Sequence, residues 1–335
     1  MGQASSTAAG DARPRVVIIG AGFGGINAAR SLGKLPVRVT LIDRKNYHLF
    51  QPLLYQVALA VLSPGEIASP VRGILRKDEN VEVLMDEVVG FDLERRRVKL
   101  KVAEEIGYDY LVVAAGATHS YFGHPEWEVL APGLKTIEDA TEIRRRVLLA
   151  FELAERETSL YGASSPLNFV VVGAGPTGVE LAGAISDISK TVMRPDFRAI
   201  DPARARVVLL EGGPRVLPSY TEDLSQKAEA QLRDLGVEVH TNARVTQLVP
   251  GKVIFESQHQ GAEVQSQEIQ AVVTLWAAGV KASFLGKALG VPTDRSGRVS
   301  VNSELNIEGH REVFVIGDLA AFKQGAEFLP GLAPV

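Results

Sequence analysis

The chain has 335 residues, 46% hydrophobic and 23% charged, enough apolar material for about two domains and too much for a largely disordered polypeptide. Its 36 basic and 40 acidic side chains give a formal charge of −4; with no basic block and no basic–aromatic stripe, nucleic acid is excluded as the main partner. Cysteine is absent, which removes disulfide frameworks, thiolate metal sites, iron–sulfur clusters and thiol catalysis. Residues 1–13 are small and polar, without the basic and apolar regions of a signal peptide, and read as a disordered lead-in. Met1-Gly2 with Ser6 also fits the short and common N-myristoylation pattern.

Arg15 to Gly20 is a β-branched apolar run ending in glycine, the signature of a buried parallel strand. A glycine turn from Gly20 to Gly25 follows, then a small-residue helix to about Leu32. The strand Val37–Ile42 comes next and ends at Asp43, completing a βαβ unit. Asn46 to Gly65 is an uncharged run of 20 residues. Asn46, His48, Gln51, Pro52, Gln56 and Ser63 interrupt its apolar face, so it reads as a buried active-site segment rather than a membrane span. Between Val81 and Val113 the alternating runs VEVLM, VVGFDLE and RRVKLKV predict antiparallel strands. Tyr108–Ala114 is a further buried strand leading into Ala115-Gly116-Ala117-Thr118.

Thr136–Glu157 predicts one long helix with Ile143, Val147, Leu148, Phe151 and Ala154 on its apolar face, bridging two domains. Gly162–Pro166 is a linker by composition. The first pattern then recurs: strand Asn168–Val172, glycine turn Gly173–Gly178, helix Val179–Ser189 and strand Ala205–Leu210, ending at Glu211. Turn and acid are 38 residues apart here against 23 in the first unit, so Lys190–Ala203 is an insertion. Short strands follow from Val237 to Leu275, and the segment from Leu275 to Gly279 resembles that from Val113 to Gly116. The buried strand Val313–Ile316, capped by Gly317-Asp318, must return to the first domain to find a sheet partner. The stop at Val335, inside an apolar turn-rich run, predicts a truncated chain.

A glycine turn that opens a helix admits a pyrophosphate close to the backbone, where free N–H groups and a partial positive charge receive it. Two such turns, each after a buried strand and each with an acid at the end of the next strand, predict two dinucleotide sites. The bland alternative is a pair of turns kept for helix–strand packing. Asp43 and Glu211 stand where a carboxylate accepts ribose hydroxyls, and Glu211 would repel the 2′-phosphate of NADP; either could also be an ordinary strand-end cap. A bound flavin and a diffusible nicotinamide in series account for two sites. Asp318 can then hold a ribityl chain, and the segment Ala115–Ala117 brings backbone near the flavin nucleotide. Glu180, two residues after Gly178, is placed in the first helical turn, either as a helix-start acid or as a group beside the nicotinamide. The six histidines form no metal-ligand spacing; His48 reads as a satisfied or cofactor-flanking ring.

Seven segments carry a family resemblance: GAGFGGINAA, the run from Leu41 to Arg72, YDYLVVAAGA, VVVGAGPTGVELAGAI, LLEGGPRVLP, LWAAGV and VFVIGDLA. Together they resemble type II NADH dehydrogenases, flavoprotein NADH:quinone oxidoreductases that pump no protons, from about Arg15 to Val335. The resemblance implies an α/β fold of two Rossmann-like dinucleotide-binding domains, glutathione-reductase-like, with antiparallel β insertions. An FAD-binding domain would comprise 14–135 and 292–335, a bridging helix and linker 136–162, and an NADH-binding domain 163–291. It implies FAD as cofactor, NADH as substrate, and ping-pong transfer to a quinone. By position it assigns Gly20, Gly22, Phe23, Gly24, Gly25, Asp43, Arg44, Val88, Ala115, Gly116 and Asp318 to the cofactors, with Gly173, Gly175, Pro176, Thr177, Gly178, Glu211 and Gly279. Glu180 becomes the catalytic glutamate, and Gln51, Pro52, Leu53 and Tyr55 flank the flavin and the quinone tunnel. No metal is implied.

Family members continue past this point into an Ala-Gln motif at the quinone site and into amphipathic helices that hold the membrane. The expected full-length protein is therefore peripheral, on the cytoplasmic face of the cell membrane, and this chain is expected in solution, with quinone reduction in doubt; a homodimer stays open. Two other readings compete. One is a soluble NADH-dependent reductase of a ferredoxin- or rubredoxin-type protein or a small acceptor, which would lack the segment 46–72. The other is a flavoprotein that senses NADH without catalysis, for which the chain offers no output element.

Overall fold

The computed structural model describes residues 12–162, 166–257, 264–325 and 327–329. The lead-in, the core of the linker and the final turn-rich run therefore fall almost wholly outside the described residues. Numbered in chain order, the principal elements are β1 (Arg15–Ile19), α1 (Phe23–Leu32), β2 (Arg38–Asp43), β3 (Val81–Met85), β4 (Tyr110–Val113), α2 (Ile137–Tyr161), β5 (Asn168–Val172), α3 (Pro176–Lys190), β6 (Arg206–Leu210), β7 (Val237–His240), β8 (Val273–Trp276), β9 (Asn306–Ile307) and β10 (His310–Val315). They assemble into two compact units, one of Met1–Leu49, Ala68–Thr118 and Lys281–Val335, the other of Phe50–Ile67 and His119–Val280.

The first unit is built on a six-stranded sheet in the order β9-β10-β4-β1-β2-β3. Every pairing is parallel except β9 with β10. Successive residues of β1 feed opposite faces: Val17 and Ile19 join one core with Leu111, Val113, Val313 and Val315, while Val16 and Ile18 join another with Ile26, Ala29 and Leu41. Burial on both faces is why the strand reads as a continuous apolar run, and each such aliphatic side chain contributes roughly 1.5–3 kcal/mol. The segment VEVLM, expected antiparallel, is β3, which pairs parallel with β2. As an edge strand it is covered unevenly, and alternation there reports partial exposure rather than strand direction. The neighbouring runs do form an antiparallel sheet, 88–92 with 97–100 and 106–107.

The second unit carries a four-stranded parallel sheet, β7-β6-β5-β8, and an antiparallel sheet of 243–249, 252–257 and 265–270. Thr136 caps α2 in a reciprocal box with Asp139, and Gly162 closes the helix in the left-handed region at φ 66°. The inner face of α2 is Ile143, Val147, Ala150, Phe151 and Ala154, with Phe151 stacked on Phe169 of β5 at 5.3 Å. The helix therefore packs within the second unit, where the sequence alone suggested a bridge, and Leu148 is only half-buried. The insertion after α3 is tied to it: the Glu155 carboxylate accepts the backbone N–H groups of Arg198, Ala199 and Ile200 at 2.9–3.0 Å.

The 46–65 run is not one helix. It comprises a short strand 47–49 paired with 68–70, a 3-10 turn Gln51–Leu53 and helical turns Leu54–Ala58 and Pro64–Ile67. Leu54, Val57, Ala58, Leu59 and Ile67 are buried while Phe50, Pro52, Ala60 and Val61 are exposed, so the expected burial holds for one face. Residues 50–67, expected in the first domain, cluster with the second unit, where Leu54–Ala58 packs on α2. Among the described residues no helix is long and apolar enough to cross a membrane.

Candidate active site

Each parallel sheet carries a glycine turn at the C-terminal edge of its first strand. Gly20 adopts φ 99° and Gly173 φ 97°, a region that side chains avoid. The last glycine of each turn is fixed by contact: a Cβ on Gly25 would lie 1.7 Å from the Gly20 carbonyl oxygen, and one on Gly178 would lie 1.8 Å from that of Gly173. These two glycines let α1 and α3 sit down on their strands.

The middle glycines differ in kind. Among the described residues, a Cβ on Gly22 or Gly175 would meet no heavy atom within 4 Å beyond its chain neighbours and its own helix backbone. Both residues cap their helices in extended conformation, with no side-chain cap hydrogen bond on either helix. Open space in front of an uncapped helix start is what a pyrophosphate needs, so the residues present fit a dinucleotide in each unit.

The acids close the turns from the neighbouring strand. Asp43 accepts the N–H of Ala21 at 2.6 Å and that of Lys45 at 2.7 Å. Glu211 accepts the N–H of Ala174 at 2.7 Å and that of Gly213 at 2.6 Å. A carboxylate has about four acceptor positions, so each can still receive ribose hydroxyls. The strand-end-cap reading and the ribose reading are thus compatible.

The remaining candidates are spread over both units. In the first unit, Ala114 N–H donates to Ile19, and Ala115 and left-handed Gly116 border the turn, where a Cβ on Gly116 would be unopposed. Asp318 is exposed on the 3-10 turn Gly317–Leu319 and makes no hydrogen bond with a described residue. Phe23 packs edge-on against His48 at 5.0 Å, Arg44 is exposed, and a Cβ on Gly24 would press on Ile316 at 3.1 Å. Val88 is buried with Val98 and Leu100, so its side chain serves packing. In the second unit Pro176 and Thr177 open α3. Gly279 is favoured by its φ of 76° and by the Ser120 carbonyl oxygen, which would lie 2.9 Å from a Cβ there, and the tip of the Phe122 ring lies over the same point. Gln51, Pro52 and Leu53 form the 3-10 turn, and the Tyr55 hydroxyl accepts from Gln56 Nε2 at 3.1 Å.

Glu180 departs from its expected place. Because α3 starts at Pro176, Glu180 is the fifth helical residue, a turn in from the start, which weakens the helix-start reading. Its side chain is open to solvent, yet the surrounding protein strips enough water from it to raise the carboxyl above the usual glutamate range. No described residue hydrogen-bonds it.

Two features escaped sequence reasoning. The Ala21 carbonyl accepts the Nδ1–H of His48 at 2.8 Å, which gives that ring its satisfied role. The equivalent Ala174 carbonyl accepts the backbone N–H of Leu217 at 2.8 Å, with Leu217 itself at φ 48°. His48 lies in the run from Leu41 to Arg72 and Leu217 in LLEGGPRVLP, but nothing local in either segment announces these two bonds.

The pyridine nucleotide-disulphide oxidoreductase family matches residues 14–334. The chain is 45% identical over 341 residues to the type II NADH:quinone oxidoreductase Ndh of Mycobacterium tuberculosis, covering 99% of this chain and 71% of that one. It is 47% identical over 331 residues to NdhA of the same organism, with coverage of 96% and 68%. The chain belongs to the type II NADH:quinone oxidoreductases. Such a member carries out flavin-type NADH oxidation, and these 335 residues contain no cysteine for the disulfide chemistry of the wider family. The fold agrees with that of NDH2 from Plasmodium falciparum solved in complex with NADH, at TM-score 0.81 and 24% identity over 92% of this chain and 65% of that one.

Proposed function

We propose that this chain binds FAD in its first unit and NADH in its second, takes a hydride from NADH, and delivers the electrons to a quinone without pumping protons. The observation that carries the reading is the doubled site: two open glycine turns, each closed by a carboxylate on the adjacent strand end. A ribose-holding acid beside a pyrophosphate cradle suits the adenosine half of a dinucleotide, which favours FAD over a mononucleotide flavin in the first unit. Bound there, FAD supplies a two-electron acceptor that can be reoxidised by a quinone.

The chain's own residues bind and orient. Gly22 and Gly175 leave room for pyrophosphate, Asp43 and Glu211 receive ribose, and Asp318 is free to meet a ribityl hydroxyl. Glu180, raised toward the neutral form by lost hydration, holds the nicotinamide carboxamide or ribose. Glu211 selects NADH, because its charge would face a 2′-phosphate. Arg215, the first arginine after Glu211 in the chain, is occupied by the carbonyls of Tyr220 and Pro218 at 2.8 Å. Gln51, Pro52, Leu53 and Tyr55 stand on the quinone side. Peripheral attachment to the cytoplasmic face of the membrane, and a homodimer, belong to the same proposal; co-sedimentation with anionic vesicles and sedimentation velocity test them.

Anaerobic NADH should bleach the flavin, and menadione or ubiquinone should restore its absorption faster than oxidised ferredoxin does. Restoration by ferredoxin alone would move the chain to the soluble-reductase reading.

A further inference from the structure

We propose that Phe122 is the residue against which the nicotinamide end of NADH packs in the second unit. The inference rests on the proposed function, and concerns a residue that none of the dinucleotide motifs contains. Phe122 and Gly123 occupy successive left-handed positions, φ 50° and 96°. Asn-Gly suits such a turn, whereas a phenylalanine at positive φ is strained. Burial does not repay that strain, since Phe122 is 66% exposed.

The surrounding contacts fix the backbone from which the ring projects. Ser120 N–H donates to the Gly279 carbonyl at 3.2 Å, and Trp276 Nε1–H donates to the Ser120 carbonyl at 2.9 Å. Tyr121 stacks on Trp276 at 5.2 Å and its hydroxyl donates to the Ala131 carbonyl at 2.9 Å. Phe122 meets the edge of Trp276 at 6.2 Å and covers Gly279. The loop 277–279 that carries Gly279 abuts the glycine turn, because a Cβ on Gly173 would lie 2.6 Å from Ala278 Cα.

The sheet order then fixes which half of the ligand comes this way. β6, with Glu211 at its end, lies on one side of β5, and β8 lies on the other. Ligands bind where the strand order reverses, here between β5 and β8. A dinucleotide with its adenosine ribose at Glu211 and its pyrophosphate over Gly175 must send its nicotinamide half toward β8, where the exposed ring of Phe122 stands. An aromatic face there packs the nicotinamide and limits where its reactive carbon lies.

Phe122→Asn separates this role from packing, because asparagine accepts the turn without strain. In flavin-loaded protein we expect an undiminished melting temperature and ADP-ribose affinity within about twofold of wild type by calorimetry, since that ligand lacks the nicotinamide. The NADH concentration for half-maximal flavin reduction in stopped flow should rise roughly three- to tenfold, with Phe122→Tyr restoring it. Should Phe122→Asn fold poorly, Phe122→Leu is read in the same way. Unchanged half-saturation and limiting rate overturn the inference, as does equal weakening of ADP-ribose and NADH. A wild-type protein that neither binds ADP-ribose nor is reduced by NADH instead overturns the proposed function on which it rests.

Discussion

The two glycine turns are close copies that finish differently. In both, the first glycine donates to the end of the adjacent strand, Gly20 to Ile42 at 2.8 Å and Gly173 to Leu210 at 2.7 Å. The residue beyond the far strand donates back to the first strand, Ala114 to Ile19 and Ala277 to Val172. The acids make matching pairs of bonds although aspartate is one methylene shorter than glutamate. The divergence is at one carbonyl: Ala21 is satisfied by the His48 ring, Ala174 by the backbone of Leu217. The first turn thus depends on a side chain that can be exchanged, the second on a strained backbone. A repeated motif conserves the surface that meets a ligand, while the shell behind it is improvised by whatever chain passes by.

The harshest test of the comparison is a methyl group in each turn. Gly25→Ala and Gly178→Ala place a Cβ inside a carbonyl contact that cannot relax locally, costing about 3 kcal/mol or more. Gly25→Ala should purify with little flavin. Gly178→Ala should keep its flavin but need on the order of 100-fold more NADH to reduce it. Loss of flavin from both variants would show that the turns do not act separately.

Removing the acids comes next. Asp43→Ala and Glu211→Ala each strip the acceptor from two backbone N–H groups, a loss of about 2–3 kcal/mol borne by one ligand alone. Flavin retention should fall in the first, read by ultrafiltration, and NADH affinity in the second. Glu211→Ser should also narrow the preference for NADH over NADPH, seen in paired stopped-flow reductions.

Glu180 has no counterpart in the first turn, so Glu180→Gln should spare flavin content and slow flavin reduction by about tenfold. Its carboxyl is raised by lost hydration, so the folded protein binds that proton more tightly than the unfolded chain does. The destabilisation by its charge is absent below the ordinary glutamate range and complete above the raised value. Glu180→Gln should therefore melt slightly higher than wild type at pH 7, with the gain gone at about pH 4. A melting temperature unchanged at both pH values would show that Glu180 is not desolvated.

The smallest effects fall on the point of divergence. His48→Ala should cost about 1 kcal/mol through the Ala21 carbonyl and loosen flavin modestly. Leu217→Gly should be near neutral, because relief at φ 48° offsets a more flexible unfolded chain. Calorimetric melting of the two variants, with and without NADH, distinguishes them.

Much of this molecule is written locally. The strand–turn–helix–strand units around Gly20 and Gly173 depend on apolar runs and glycines a few residues apart, and the cysteine-free composition removed whole chemistries before any fold was known. The acids at 43 and 211 were legible because a strand of known length must end beside its partner's turn. The direction of the strand 81–85 was not, since edge exposure mimics antiparallel alternation. Nor was the placement of 50–67 against α2, which depends on which hydrophobic surface a short amphipathic segment finds. The two nucleotide turns and their acids could be read before any fold was known, because close backbone approach and strand ends are properties of neighbouring residues. Only folding brings His48 and Leu217 to those turns, strips water from Glu180, and sets a strained Phe122 over Gly279. Each of these joins residues far apart in the chain through a contact whose strength is set by packing and lost water.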